Sequence, residues 1–145
     1  MSNTLDLTKE LISRKSVTPE DAGCQQLIAE RLSKIGFKIE NLQYGEVKNL
    51  WATIGNSGPL FVFLGHTDVV PTGPIENWES DPFVATEKGN LLVGRGTADM
   101  KSSVAAFITS IEAFLEDQPT LTGRIGVLLT LSLIHISEPT RPSQI

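Results

Sequence analysis

Cysteine is nearly absent: Cys24 is the only one in 145 residues. The chain therefore forms no internal disulfide and no cysteine-rich zinc site. A reducing cytoplasm is the simplest compartment for such a sequence. Histidine is almost as scarce, with His66 and His135 alone. No apolar run of about 18 residues occurs, so no membrane-spanning helix is expected. The N-terminal "MSNTLDLTKELISRKS" has no basic start ahead of an apolar core, so no secretory signal is expected either. Basic residues are outnumbered, 12 Lys plus Arg against 17 Asp plus Glu, for a formal charge of −5. That balance argues against a nucleic-acid partner, which calls for a basic face. Hydrophobic residues at 40% and charged residues at 20% describe a globular chain, one domain or part of a larger one.

Periodicity sets the expected elements. Residues 4–14 place Leu5, Thr8, Leu11 and Ile12 on one helical face. A second helix is expected from Thr18 as N-cap and Pro19 at the first helical position, with Asp21 at its positive end. Its stripe runs Ala22, Leu27, Ile28, Leu32 and Ile35, and Gly36 supplies a left-handed stop. Strands follow at 37–43 and 49–55, with a turn at 56–59. "LFVFLG" (60–65) has no polar alternation, which predicts a central strand covered on both faces. The Pro- and Gly-rich stretch 66–82 reads as loop. "PFVAT" and "LLVGR" flank "EKGN" as a hairpin. Residues 100–116 keep helical spacing through Val104, Phe107, Ile108, Ile111 and Leu115, and "RIGVLLT" (124–130) is another buried strand. The order of elements predicts an α/β fold, a mixed central sheet flanked by helices on both faces.

Chemistry concentrates in two places. In "LGHTDVV" a strand end presents His66, and Asp68 stands two residues on. Residues two apart on extended chain point the same way. The pair suits a metal-binding imidazole with a carboxylate on its other ring nitrogen, and equally a structural hydrogen-bonded pair. In "GRGTADMKSS", Gly94 and Gly96 permit unusual torsions just before a helix, and Asp99 suits either a helix cap or a metal-binding carboxylate. Lys101 reads as a surface residue or a carboxylate partner.

The combination "GHTDVVPTG", a following "W" and "DPF", then "GRGTADMK", resembles the M20 family of co-catalytic zinc peptidases and deacylases. "DAGCQQLIAERLSKIGF" and "NLWA" add to the likeness, which covers residues 1–130. The resemblance implies the N-terminal part of a zinc-peptidase-like catalytic domain, truncated after Thr130. It implies His66 as a zinc ligand, Asp68 as the catalytic carboxylate that orients His66, and Asp99 as the ligand bridging two zinc ions, with cobalt an alternative at the second. It also implies a cis peptide at Asp99–Met100. The implied reaction is metal-dependent hydrolysis of a small-molecule amide, N-succinyl-diaminopimelate to succinate and diaminopimelate. An acetylornithine-type deacetylase or a carboxypeptidase are alternatives within the family, and a short non-catalytic binding protein is one outside it. Full-length members are homodimers through a lid domain that this sequence does not contain.

The pattern breaks at Leu131. The family's strand runs on into Ser-Asp-Glu-Glu, where one glutamate is the general base and the next a zinc ligand; here "LSLI" follows Thr130. Residues 131–141, "LSLIHISEPTR", resemble translated sequencing adapter. The chain is therefore read as a partial catalytic domain at 1–130 and a non-native, adapter-derived tail at 131–145, in which His135 has no role. Sequencing the locus across codon 130 checks this. Ser-Asp-Glu-Glu or close to it is the expected continuation, and a native Leu-Ser-Leu-Ile would overturn the reading.

Overall fold

The computed structural model describes residues 3–131. Helix α1 spans Asn3–Ser13 and α2 spans Cys24–Lys34. Strands β1 (Lys38–Tyr44), β2 (Val47–Ile54) and β3 (Leu60–His66) follow, then the short hairpin β4 (Thr86–Lys88) and β5 (Leu91–Val93). A distorted turn, Thr97–Lys101, leads into α3 (Ser102–Asp117), and β6 (Arg124–Thr130) closes the sheet. The four-stranded sheet runs β1-β2-β6-β3. β1 pairs antiparallel with β2, β2 antiparallel with β6, and β3 parallel with β6, so the sheet is mixed.

One apolar layer holds the elements together. Leu7 and Leu11 of α1, Cys24, Ile28 and Leu32 of α2, and Val104, Ile108 and Ile111 of α3 pack on Leu50, Ala52, Val127 and Leu129 of the sheet. Each such aliphatic side chain, fully buried, contributes about 1.5–3 kcal/mol. Arg31 of α2 makes a two-pronged ion pair with Glu112 of α3, at 2.8 and 2.7 Å, and its guanidinium also reaches Asn3 at 3.3 Å.

Three expectations need correction. The α2 start is not at Thr18–Pro19. The helix begins at Cys24 behind a left-handed Gly23, and the Asp21 carboxylate accepts the Gln25 N–H at 2.9 Å. Residues 16–18 run beside 67–69 instead, with Thr18 N–H donating to Val69 O at 3.1 Å and Val69 N–H to Ser16 O at 2.8 Å. Tertiary pairing there outweighs the local capping signal.

Second, β3 is the edge strand of the described sheet, not a doubly covered one. Phe61 is 63% exposed and Leu64 50%. Phe63 is half-buried on the helical side, stacked on Phe107 at 5.0 Å between ring centroids. Third, among the described residues the helices pack on one face of the sheet. The opposite face carries Val62, Leu64, Leu128 and Trp51, whose ring lies over Gly126 so closely that an added Cβ would sit 2.5 Å from it. An apolar run reports affinity for cover, not how many layers are in place to supply it.

Cys24 sits at the centre of the apolar layer, and burial pushes its thiol pKa up. A buried, protonated thiol is a poor nucleophile. Alkylation by iodoacetamide at pH 8 is therefore expected only on unfolding, and rapid labelling of the native chain would contradict this packing.

Candidate metal centre

Parallel pairing of β3 with β6 sets His66 opposite Thr130 at the carboxyl ends of two adjacent strands. In open α/β sheets that rim is where ligands bind. The His66 ring is held at both nitrogens. Nδ1 lies 3.0 Å from the carbonyl of Asp68 and 3.2 Å from its Oδ1, both acceptors, so Nδ1 donates there. Nε2 lies 2.9 Å from Asp99 Oδ1. The three residues named from the sequence thus come together in one place, with different surroundings. His66 and Asp68 are buried, whereas the Asp99 side chain is 86% exposed.

The Asp99 turn is fixed by residues on both sides. Gly96 precedes it with φ near 80°, and an added Cβ would lie 2.3 Å from Val69 Cγ1, so both torsion and space require glycine. The Asp99–Met100 peptide is cis. Met100 Sδ accepts the His66 backbone N–H at 3.4 Å, which joins the two halves of the site through main chain as well as side chain.

Lys101 corrects the surface assignment. It is among the most buried residues of the chain, 1% exposed. Its Nζ donates to the carbonyls of Leu11 and Arg14, both at 2.7 Å, and so satisfies the end of α1. Burial draws its pKa below the ordinary lysine value, with nearby Cys24 and Asp21 opposing. The sequence offered no sign of this, because its partners are backbone carbonyls almost ninety residues away.

A cleft of about 340 Å³ opens over these groups, lined by Thr18, His66, Asp68, Arg95, Thr97 and Asp99. On its far side the Arg95 guanidinium lies 5.1 Å from the Trp78 ring, and Trp78 Nε1 donates to Thr72 O at 3.0 Å. These contacts brace the irregular loop after Asp68. A second brace comes from the segment before α2. Thr67 donates its hydroxyl to Asp21 Oδ1 at 2.6 Å, Ser16 donates to Thr67 O at 2.7 Å, and the Thr18 hydroxyl donates to Asp68 Oδ2.

The donor types fit a divalent transition metal: an imidazole with its other nitrogen held by a carboxylate, and a carboxylate aimed at the free nitrogen. The number of donors does not complete a site. Asp68 occupies the opposite ring edge and adds no third ligand, and no group of three or more His, Cys, Asp or Glu able to hold an ion occurs among the described residues. Catalytic zinc normally takes about three protein ligands. His135 lies outside the described residues.

Residues 62–132 match the sequence profile of Peptidase family M20/M25/M40. The chain is 59% identical over 130 residues to the succinyl-diaminopimelate desuccinylase of Methylobacillus flagellatus, covering 90% of this chain and 35% of that protein. It thus spans about a third of the length of the curated relatives it matches. Among solved structures, an M20 family metallo-carboxypeptidase from Sulfolobus solfataricus superposes with a TM-score of 0.78 at 24% identity, over 89% of this chain and 30% of that one. The Bacillus subtilis protein YXEP, described as a dinuclear metal-binding peptidase of the M20 family, gives 0.61 at 15% identity, over 87% and 34%. At these identities the superpositions establish a shared fold. No helix among the described residues is long and apolar enough to cross a membrane.

Replacing Lys101 by Met removes two buried, charge-assisted hydrogen bonds while keeping much of the volume. A loss of about 2–4 kcal/mol is expected, since bonds to charged groups contribute about 1.5–3 kcal/mol each. Urea unfolding of Lys101→Met against the unmodified chain checks it, and an unchanged midpoint would refute the capping role.

Proposed function

We propose that the chain carries part of an M20-family catalytic domain and that its parent protein hydrolyses N-succinyl-LL-2,6-diaminopimelate to succinate and LL-2,6-diaminopimelate. The observation that carries the reading is the His66 ring, held between Asp68 on one nitrogen and Asp99 on the other. The substrate rests on the 59% identity to a succinyl-diaminopimelate desuccinylase. A cytoplasmic location for the parent is in keeping with a sequence holding one buried cysteine.

The geometry supports these roles. His66 would hold a zinc ion through Nε2. Asp68 fixes the ring and its tautomer through Nδ1. Asp99 is exposed to the cleft and has two oxygens, so it would be able to share its carboxylate between metal ions. Bound zinc contributes Lewis acidity toward water and the amide carbonyl. The general base is the first glutamate of the Ser-Asp-Glu-Glu that the resemblance puts after Thr130, where this sequence reads Leu-Ser-Leu-Ile. Loss of a positioned base alone lowers the rate by about 10²–10⁴. The 145-residue chain is therefore expected to be inactive by itself.

Two assays test the reading. The purified chain with zinc and N-succinyl-diaminopimelate is expected to release no succinate above background; measurable turnover would overturn the missing-base argument. A hybrid with residues 1–130 in place of the matching segment of the Methylobacillus flagellatus enzyme is expected to release succinate. His66→Ala or Asp99→Ala in that hybrid should lose activity by about 10³-fold or more. A folded but inactive hybrid would overturn the desuccinylase reading.

A further inference from the structure

We propose that Thr18 is a positioning residue: its hydroxyl holds the Asp68 carboxylate in the orientation that fixes His66. The proposal builds on the metal-ligand reading of His66 and extends the site by one residue that sequence analysis assigned to a helix cap.

The hydrogen-bond inventory of Asp68 is the starting point. Oδ1 faces His66 Nδ1 at 3.2 Å, and Oδ2 accepts from Thr18 Oγ1. The carboxylate is buried, its side chain 7% exposed, so few waters are available to replace a lost partner. The terminal torsion of an aspartate is broad and roughly two-fold, so packing alone fixes its plane weakly. A donor on Oδ2 selects the setting in which Oδ1 faces the imidazole. Thr18 has one hydroxyl proton and two acceptors within reach, Asp68 Oδ2 and, at 3.3 Å, Val69 O. The carboxylate is the nearer and the charged one, and charge-assisted bonds are about twice as strong as neutral ones. The proton therefore goes to Asp68.

Thr18 is itself held in place. Its N–H donates to Val69 O at 3.1 Å, and Val17 forms a parallel bridge with Val69. The neighbouring contacts Ser16 to Thr67 O and Thr67 to Asp21 tie the same two segments on either side. Thr18 is exposed at the lip of the cleft, so its side chain adds little apolar packing. What it offers is a hydroxyl at a fixed point. Thr18 and His66 Nδ1 thus both donate to the Asp68 carboxylate, and His66 Nε2 faces Asp99, so the contacts run in one line from Thr18 to Asp99. The first member of that line comes from the segment before α2, its last from the turn before α3.

The test separates shape from hydrogen bonding. Thr18→Val keeps the branched side chain and removes the hydroxyl; Thr18→Ser keeps the hydroxyl and removes the methyl. In the isotope-labelled 145-residue chain without metal, Thr18→Val is expected to move the Asp68 carboxylate carbon and the His66 ring-nitrogen resonances. Thr18→Ser should leave both near their original positions. Zinc titration of the metal-free hybrid with the Methylobacillus flagellatus enzyme, which supplies the remaining ligands, followed at the His66 ring, is expected to give about 3–10-fold weaker apparent binding for Thr18→Val, below the 10–100-fold typical of a directly orienting partner. Thr18→Ser should stay within about twofold. If Thr18→Val leaves the metal-free resonances unmoved, the proposal is wrong. Equal zinc binding by the Thr18→Val hybrid and the unmodified hybrid would likewise overturn it. A shift in the metal-free spectrum with no zinc response in any variant would sink the metal reading instead and leave the positioning of His66 by Thr18 standing. Thr18→Ala serves as a second hydroxyl-free variant should valine disturb the amide spectrum.

Discussion

A buried ammonium joins the helical layer of this protein to its reactive rim. Among the described residues no carboxylate bonds Lys101; its Nζ donates to the carbonyls of Leu11, in the last turn of α1, and of Arg14, just past it, where the helix dipole is negative. Desolvating a cation is costly, and two short bonds to backbone carbonyls offset the cost. The consequence is geometric. Lys101 lies two residues after Asp99 and one after Met100, so fixing it against α1 fixes the turn that holds both. Met100 in turn reaches the His66 backbone. The site is thus keyed to the helices through a side chain that never enters the cleft.

Much of this could be read in the sequence, for reasons that can be named. β6 is a continuous apolar run bounded by Gly123 and a change of composition, and it appears at Arg124–Thr130 as expected. α3 follows from helical spacing, and the β4–β5 hairpin turns at Gly89–Asn90, but its first strand lies at Thr86–Lys88 rather than at the expected 82–86. His66, Asp68 and Asp99 announced themselves as polar residues at the ends of apolar elements. What stayed hidden was long-range. Thr18 and Asp21 form a plausible local cap, and nothing in the string shows that β3's continuation lies alongside to claim them. Lys101 has no charged residue at helical spacing to betray its burial. β3 resembles a central strand because its composition is suited to full cover, whereas only one side of its hydrogen bonding and part of one face are covered among the described residues.

The arrangement also explains why the site lies where it does. Parallel β3 and β6 end together, so whatever leaves each strand enters the same cleft. The loop after β3 is fixed by Arg95 on Trp78 and by residues 16–21, while the turn before α3 is fixed by Lys101. Loops held from opposite sides on a rigid strand rim can present ligands with little reorganisation.

The two tryptophans divide the molecule in a way that has a spectroscopic meaning. Trp51 lies across Gly126 on the open sheet face, far in kind from the chemistry, while Trp78 sits beneath the Arg95 guanidinium with its indole N–H committed to the loop that borders the cleft. With no third indole in the chain, emission has only these two sources. One source responds to whatever covers the sheet, the other to movement of the loop beside His66. Single Trp→Phe variants would therefore let cover of the sheet and order at the rim be followed as separate optical signals in the same protein.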